Sequence, residues 1–211
     1  MDEIEISFTS PRRRPFKKVI QLRIVLAGTS PPVWRRIQVP ESYTFYDLHV
    51  AIQNAMGWTD SHLHMFEIPT DQGERHLIRI DCPPFLDPDI GEEPSIYGTE
   101  VPIKDYLSEK GDKARYIYDF GDDWIHNVTV EDVLPKDGRR RYPACLDGEL
   151  ACPPEDCGAV PGYYDCIRAL KKRDNSQGQL TWLGRWRPDR FNPKTVVFES
   201  PRKRFLDSWL D

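Results

Sequence analysis

Residues 19–27, VIQLRIVLA, alternate in polarity and are rich in β-branched side chains, and after the turn GTSPP a second such run covers 33–39. Successive side chains of a strand point to opposite faces, so the two runs predict a β-hairpin with one apolar face. The period then changes: in TFYDLHVAIQNAM, residues 44–56, Phe45, Leu48, Ile52 and Met56 recur at helical spacing, with Thr44 or Ser42 available as cap and Gly57 as stop. Residues 62–68 and 76–80 read as two more strands around the polar turn PTDQGE, giving the order strand, strand, helix, strand, strand. With 19 prolines in the chain an all-helical protein is excluded, and the fold class is α+β with a mixed or antiparallel sheet, packed helices and long irregular loops.

Beyond residue 80 the pattern is less regular. Residues 81–100 hold four prolines and six acidic side chains and predict a surface loop inserted in the domain. Val101 to Leu107 suits a short helix, and residues 114–118 and 124–133 a strand pair joined by the FGDD turn, with Trp124, His126, Val128 and Val130 on one face. Tyr163 to Lys172 predicts another helix with basic residues at its C-terminal end, and Trp182, Trp186 and Phe191 are expected to pack back onto the sheet. The expected organisation is a flexible basic arm over 1–17, one domain over 18–200 and a C-terminal tail over 201–211.

An apolar fraction of 39% suffices for one real core, and no run of about 18 apolar residues is present to cross a bilayer. The opening MDEIEISFTS lacks the basic-then-apolar order of a signal peptide, so a soluble, cytoplasmic protein is expected. There the five cysteines are expected to be thiols or ligands and not a disulfide framework, with Cys82 and Cys166 isolated. A net charge of −5 gives little general attraction for nucleic acid, although Arg12, Arg13, Arg14, Lys17 and Lys18 form a local basic patch.

Two segments concentrate chemistry. In YPACLDGELACPPEDCGAVPG, residues 142–162, Cys145, Cys152 and Cys157 are separated by six and four residues, which is not the CxxC spacing of a zinc knuckle. If they hold a metal, thiolates favour zinc, with a fourth ligand from His62, His64 or His126; otherwise they are small buried hydrophobes. His62 and His64, two apart on one strand, are read as facing inward with Phe66 and Ile68, as is His126 on its own strand. In YDFGDDWIH, residues 118–126, Asp119, Asp122 and Asp123 suit a turn, and joined by Glu155 and Asp156 they would supply carboxylates for a divalent ion. The candidate catalytic set is His126, Asp122, Glu155 and Asp156. No GxSxG elbow, Walker loop or dinucleotide cradle is present.

The blocks PPVWRRIQVP, AMGW, HLHMFEI, YDFGDDWIH, YPACLDGELACPPEDCG and GYYD, in this order, resemble the plasmid pRiA4b ORF-3 family over about Val19 to Phe198. The resemblance implies an α+β roll similar to a β-grasp arrangement and no established reaction. Some members carry a mobile-element passenger label with a resolvase-like name, but no recombinase feature is identified in this chain. The family's common double glycine after PPEDC is Gly158-Ala159 here, which touches local backbone freedom. The leading expectation is a non-enzymatic binding or accessory module with a protein partner. One alternative is a metal-dependent hydrolase or nuclease using the His/Asp/Glu/Cys cluster. Another is a nucleic-acid-binding protein of mobile-element origin, gripping its ligand by the basic arm together with Arg185, Arg187 and Arg190 beside Trp182 and Trp186.

Overall fold

The computed structural model describes residues 14–70, 73–81, 96–173 and 178–209. Arg12 and Arg13 of the basic arm, Cys82 and most of the 81–100 loop lie outside the described residues. One sheet organises the rest. Its strands are β1 (Lys18–Leu26), β2 (Trp34–Pro40), β3 (His64–Thr70), β4 (Gly73–Asp81), β5 (Ile96–Tyr97), β6 (Lys113–Tyr118), β7 (Trp124–Pro135) and β8 (Ala144–Glu149), in the spatial order β5-β4-β3-β6-β7-β1-β2-β8. Only β4 and β5 run parallel, so the sheet is mixed, open at both edges, and the protein is α+β. 

Helix α1 (Phe45–Met56) starts and stops where the sequence predicts. The Thr44 side chain accepts from the Asp47 amide at 3.2 Å, and Asp47 accepts from the Thr44 amide at 2.9 Å, a reciprocal capping box. Gly57, at φ 96°, takes the left-handed turn that ends the helix. Joining β2 near one edge to β3 on the other side, α1 crosses the middle of the sheet and buries Phe45, Leu48, Ile52 and Met56 on it.

The sheet face under α1 is formed by Ile20, Leu22, Ile24 and Leu26 of β1, Ile37 and Val39 of β2, Phe66 and Ile68 of β3, and Trp124, Val128 and Val130 of β7. Apolar burial of this kind is the main favourable term in folding. The same face also carries Arg35, His64, Tyr116, Tyr118 and His126, all buried. Polar side chains on an inward face must find partners, and the partners they find define the site.

The cysteine segment, 142–162, is regular at both ends. Its first part is β8, an edge strand on β2, with a register shift between Arg36 and Ile37. Helix α2 (Ala159–Lys172) begins four residues before the predicted Tyr163 start, with Pro161 accommodated in its first turn. Ala159 stands at φ 60°, the left-handed region, where the family pattern has its second glycine. An L-residue there costs about 1–2 kcal/mol that glycine does not. Ala159→Gly is therefore expected to raise stability by about 1 kcal/mol after the added freedom of the unfolded chain is subtracted. A lower urea midpoint for the variant would contradict that assignment. Two more helices follow, α3 (Gln179–Leu183) and α4 (Pro201–Trp209). The C-terminal segment is thus partly helical, and α4 packs Phe205 on Tyr46 and Val50 of α1.

Candidate functional site

After β8 the chain turns at Leu150, φ 64°, and curls under the C-terminal end of α1. Two indoles hold it there: Trp58 Nε1 donates to the Pro153 carbonyl at 3.0 Å and Trp186 Nε1 to the Cys152 carbonyl at 2.8 Å. The next residues are clamped to the β3 and β6–β7 ends. Glu155 accepts from the Thr59 amide at 2.8 Å and from the Tyr118 hydroxyl at 3.1 Å, Asp156 lies 2.9 Å from His62 Nε2, and the Gly158 amide donates to Asp122 at 3.1 Å. His62, Asp122 and the adjacent pair Glu155 and Asp156, three places far apart in sequence, thus meet at one rim.

Two of the turn aspartates behave as turn chemistry predicts. Asp119 Oδ1 accepts from the amides of Gly121 and Asp122 at 3.0 and 3.3 Å, and Asp119 and Asp123 sit at φ 58° and 51°. The other Asp119 oxygen is 3.7 Å from His62 Nε2, so His62, Asp119 and Asp156 form one loose group at the surface.

His126 does not join this rim. It is fully buried beneath Trp58, ring centroids 5.1 Å apart, and its Nδ1 lies 3.3 Å from the Tyr116 carbonyl while Nε2 has no hydrogen-bond partner among the described residues. Burial, together with the charge of Arg35, pushes its pKa down to about 4, against smaller opposing backbone hydrogen bonds. The inward face was correctly inferred; the carboxylate partners were not, because those carboxylates sit on loops beyond the strand end.

The thiols do not converge on the histidines either. Cys145 lies on β8 with Sγ 3.7 Å from the Asp147 carbonyl, Cys152 is buried near Arg35, and Cys157 packs against Cys166 of α2, which is therefore not isolated. Burial raises the pKa of Cys145 and Cys152 and pushes Cys157 up to about 12, so without a bound ion all three are neutral thiols. Among the described residues no group suited to a metal contains a cysteine.

His62 and His64 part company as well. Strand β3 begins at His64, so the period of two does not extend to His62, which is partly exposed at the rim. His64 instead lies under α1, its ring stacked on His49 with centroids 3.4 Å apart and planes 4° from parallel. His49 is the residue sequence reasoning missed. It stands four residues before Gln53 on the core stripe of α1, a spacing that could have marked it. Gln53 Nε2 donates to the Tyr116 hydroxyl at 2.9 Å, and that hydroxyl lies 2.8 Å from His49 Nδ1. Burial raises the Tyr116 pKa far above the usual range, so the phenol keeps its proton. On the other side of the ring, His49 Nε2 is 2.8 Å from Asp60 Oδ1. Burial alone would raise the Asp60 pKa, but His49, His64 and Arg204 outweigh it and hold the carboxyl down to about 2.

A cavity of about 350 Å³ opens between the α1 C-terminus, the Cys152–Glu155 backbone and the chain around Phe191. Arg35 lies at its base, only 1% exposed. The guanidinium stacks on Phe191 at 3.6 Å, Nε donates to the Ala55 carbonyl at 2.8 Å, and Nη1 donates to the carbonyls of Trp34 and Glu149 at 2.8 and 3.1 Å. Nη2 makes no hydrogen bond and no carboxylate pairs with the group among the described residues. Trp186 lines this cavity, whereas Trp182, expected to pack back onto the sheet, is 52% exposed.

No helix among the described residues is long and apolar enough to cross a membrane. The chain is 34% identical over 169 residues to "Uncharacterized protein y4hQ" of Sinorhizobium fredii (strain NBRC 101917 / NGR234), covering 79% of this chain and 81% of that protein. Its fold is similar to that in the crystal structure of the protein of unknown function MM3350 from Methanosarcina mazei Go1, with a TM-score of 0.75 and 39% identity over 87% of this chain and 99% of that one. The model of the plasmid pRiA4b ORF-3-like protein family matches residues 18–195, which hold the whole β1–β8 sheet, the clamped PPED segment and the histidines beneath α1, and the chain belongs to that family.

Proposed function

We propose that the protein is a non-enzymatic binding module whose ligand is a small organic carboxylate seated on Arg35. The carrying observation is a guanidinium 1% exposed at the base of a cavity, with Nη2 unbonded and no carboxylate partner among the described residues. A buried charge without an opposite charge is costly; the C-terminal carbonyl of α1 at Ala55 offsets part of that cost, and an anionic ligand would offset more. The walls suit an organic tail: Trp58, Trp186 and Phe191 line the cavity, and Arg190 adds a second cation at its mouth. Glu155, on the same rim, disfavours multiply charged anions such as phosphate.

Titration of the full chain with benzoate and with hexanoate, followed by tryptophan fluorescence, tests this. Saturable binding of either carboxylate is expected, with inorganic phosphate weaker. Arg35→Met should weaken it at least about tenfold, as loss of a charged hydrogen bond does. Arg190→Ala, at an exposed position, should weaken it a few-fold without disturbing the fold. Absence of saturable binding for both carboxylates, or equal affinity in Arg190→Ala and a folded Arg35→Met, would refute it.

A further inference from the structure

Three donor atoms, one each from His49, Asp60 and His64, lie within 4.8 Å of one another beneath α1. They come from three places: His49 from the middle of the helix, His64 from the first residue of β3, and Asp60 from the connection between them. That connection is fixed. The Asp60 amide donates to Gln53 Oε1 at 3.1 Å, the same Gln53 whose Nε2 donates to Tyr116, and Asp60 adopts φ 63°. Gln53 thus ties the carboxylate and the histidine-orienting phenol to one fully buried amide.

As a hydrogen-bonded network the trio is incomplete. His49 Nε2 is paired with Asp60 Oδ1 at 2.8 Å, but at an angle poor for a hydrogen bond. His64, 6% exposed, makes no side-chain hydrogen bond among the described residues and is held by ring contacts alone. What remains is one buried imidazole with no such hydrogen bond, stacked on a second whose Nε2 meets a carboxylate oxygen at a poor angle. On the far side Arg204 of α4 stands 3.6 Å from Asp60 Oδ2, which leaves Oδ1 toward the imidazoles.

We propose that His49, Asp60 and His64 form a buried site for one divalent transition-metal ion of the zinc or cobalt class. Two imidazoles and a carboxylate are borderline ligands that select such ions over calcium or magnesium, and three protein ligands leave a fourth position open. Tyr116 supplies the outer contact such a site requires, at the His49 nitrogen that faces away from the ion. With Nε2 on the metal, neutral His49 carries its one proton on Nδ1, where it is donated to the Tyr116 oxygen, and no proton is released from this ring. In the parallel stack the two rings cannot aim at one point, so loading tilts His64, the ring that no hydrogen bond restrains. The site is separate from the Arg35 cavity and stands or falls independently of it.

Full-length protein purified without an affinity tag, stripped with a chelator and titrated with Co²⁺ provides the test. One Co²⁺ per chain is expected, with visible d–d absorption of a four- or five-coordinate ion that Zn²⁺ abolishes, and with a higher unfolding midpoint. Asp60→Asn and His64→Gln should each remove the absorption. Tyr116→Phe should keep it but weaken affinity on the order of tenfold, the usual effect of losing an outer partner. His62→Gln, in the surface group with Asp119 and Asp156, should bind as the parent does. If His64→Gln does not fold, Asp60→Asn decides the matter, since Asp60 lies outside helix and strand. Failure to bind stoichiometric Co²⁺ and Zn²⁺, or binding kept in Asp60→Asn but lost in His62→Gln, overturns the proposal.

Discussion

Trp58→Ala is expected to lower the unfolding free energy by about 4 kcal/mol, the usual cost of removing a buried indole. The residue is 4% exposed and packs on Tyr118, Trp124 and His126 at ring-centroid distances of 5.0, 5.9 and 5.1 Å. Truncation opens a cavity among these rings and leaves the Pro153 carbonyl without its 3.0 Å donor. The backbone at Cys152–Pro153 is then held by Trp186 alone of the two indoles. A second readout follows: the buried Cys152 thiol should react faster with a thiol reagent in the variant. Trp58→Phe keeps most of the ring packing and loses the hydrogen bond, so about 1–2 kcal/mol is expected. Urea unfolding at constant m-value measures both. A Trp58→Ala loss under about 1 kcal/mol, with Cys152 reactivity unchanged, would show that the indole does not anchor the segment.

The same side chain joins the two sites to the fold. Trp58 lies one residue past the Gly57 helix stop and two before Asp60, so one short connection lines the Arg35 cavity and delivers a carboxylate to His49. Thr59, between them, binds Glu155 through its amide and hydroxyl. Residues 57–60 therefore couple the cavity, the PPED segment and the histidine pair, and disorder introduced there should reach all three.

How much of this could be read in the sequence depended on the range of the interactions involved. The extent of helix α1 was legible because Thr44 and Gly57 act within one turn of its ends; only the choice between Thr44 and Ser42 as cap needed the structure, where Asp47 closes the box with Thr44. The inward faces of β1, β3 from His64 onward, and β7 were legible because side-chain alternation is a local property. β8 was not, since ACLDGE carries two acids and a glycine and is a strand only because β2 offers it an edge. The α2 start was misplaced because Ala159 and Pro161 look like loop residues; Gly162 lets the turn close, as any Cβ there would strike the Cys157 carbonyl. Of the candidate set His126, Asp122, Glu155 and Asp156, the three carboxylates meet at one rim, but the histidine beside them is His62 and not His126, because the joining clamp is tertiary. His49 and Asp60 went unseen because their meeting with His64 depends on how α1 crosses the sheet, a distance no local pattern encodes.

Acid should unfold the protein in a window set by its buried histidines. His126 titrates near 6.5 when unfolded and at about 4 in the fold, so between these values the unfolded chain binds more protons and stability falls as pH falls. Its contribution is intact above about pH 6.5 and is lost as pH drops through the folded value, amounting to about 3 kcal/mol. Burial lowers the His64 pKa as well, with the His49 charge adding to it and Asp60 opposing, so His64 acts in the same direction. Asp60, held down to about 2, extends the decline below pH 4, because a carboxyl with a depressed pKa loses its contribution as it is protonated. The surroundings of His126 explain why no partner rescues its charged form: Trp58, Tyr116 and Trp124 supply rings and a carbonyl, and the nearby charge is the cation of Arg35. His126→Leu removes the titrating group and an unpaired ring nitrogen together, so it should flatten the stability profile between pH 6.5 and 4 by about 3 kcal/mol. At pH 7 the same variant should differ little from the parent, because the lost Tyr116 carbonyl contact is offset by one fewer unsatisfied polar atom. Urea unfolding at a series of pH values separates the outcomes: a parent profile that is flat over this window, or a slope that survives His126→Leu in full, would show that His126 is not the group being protonated.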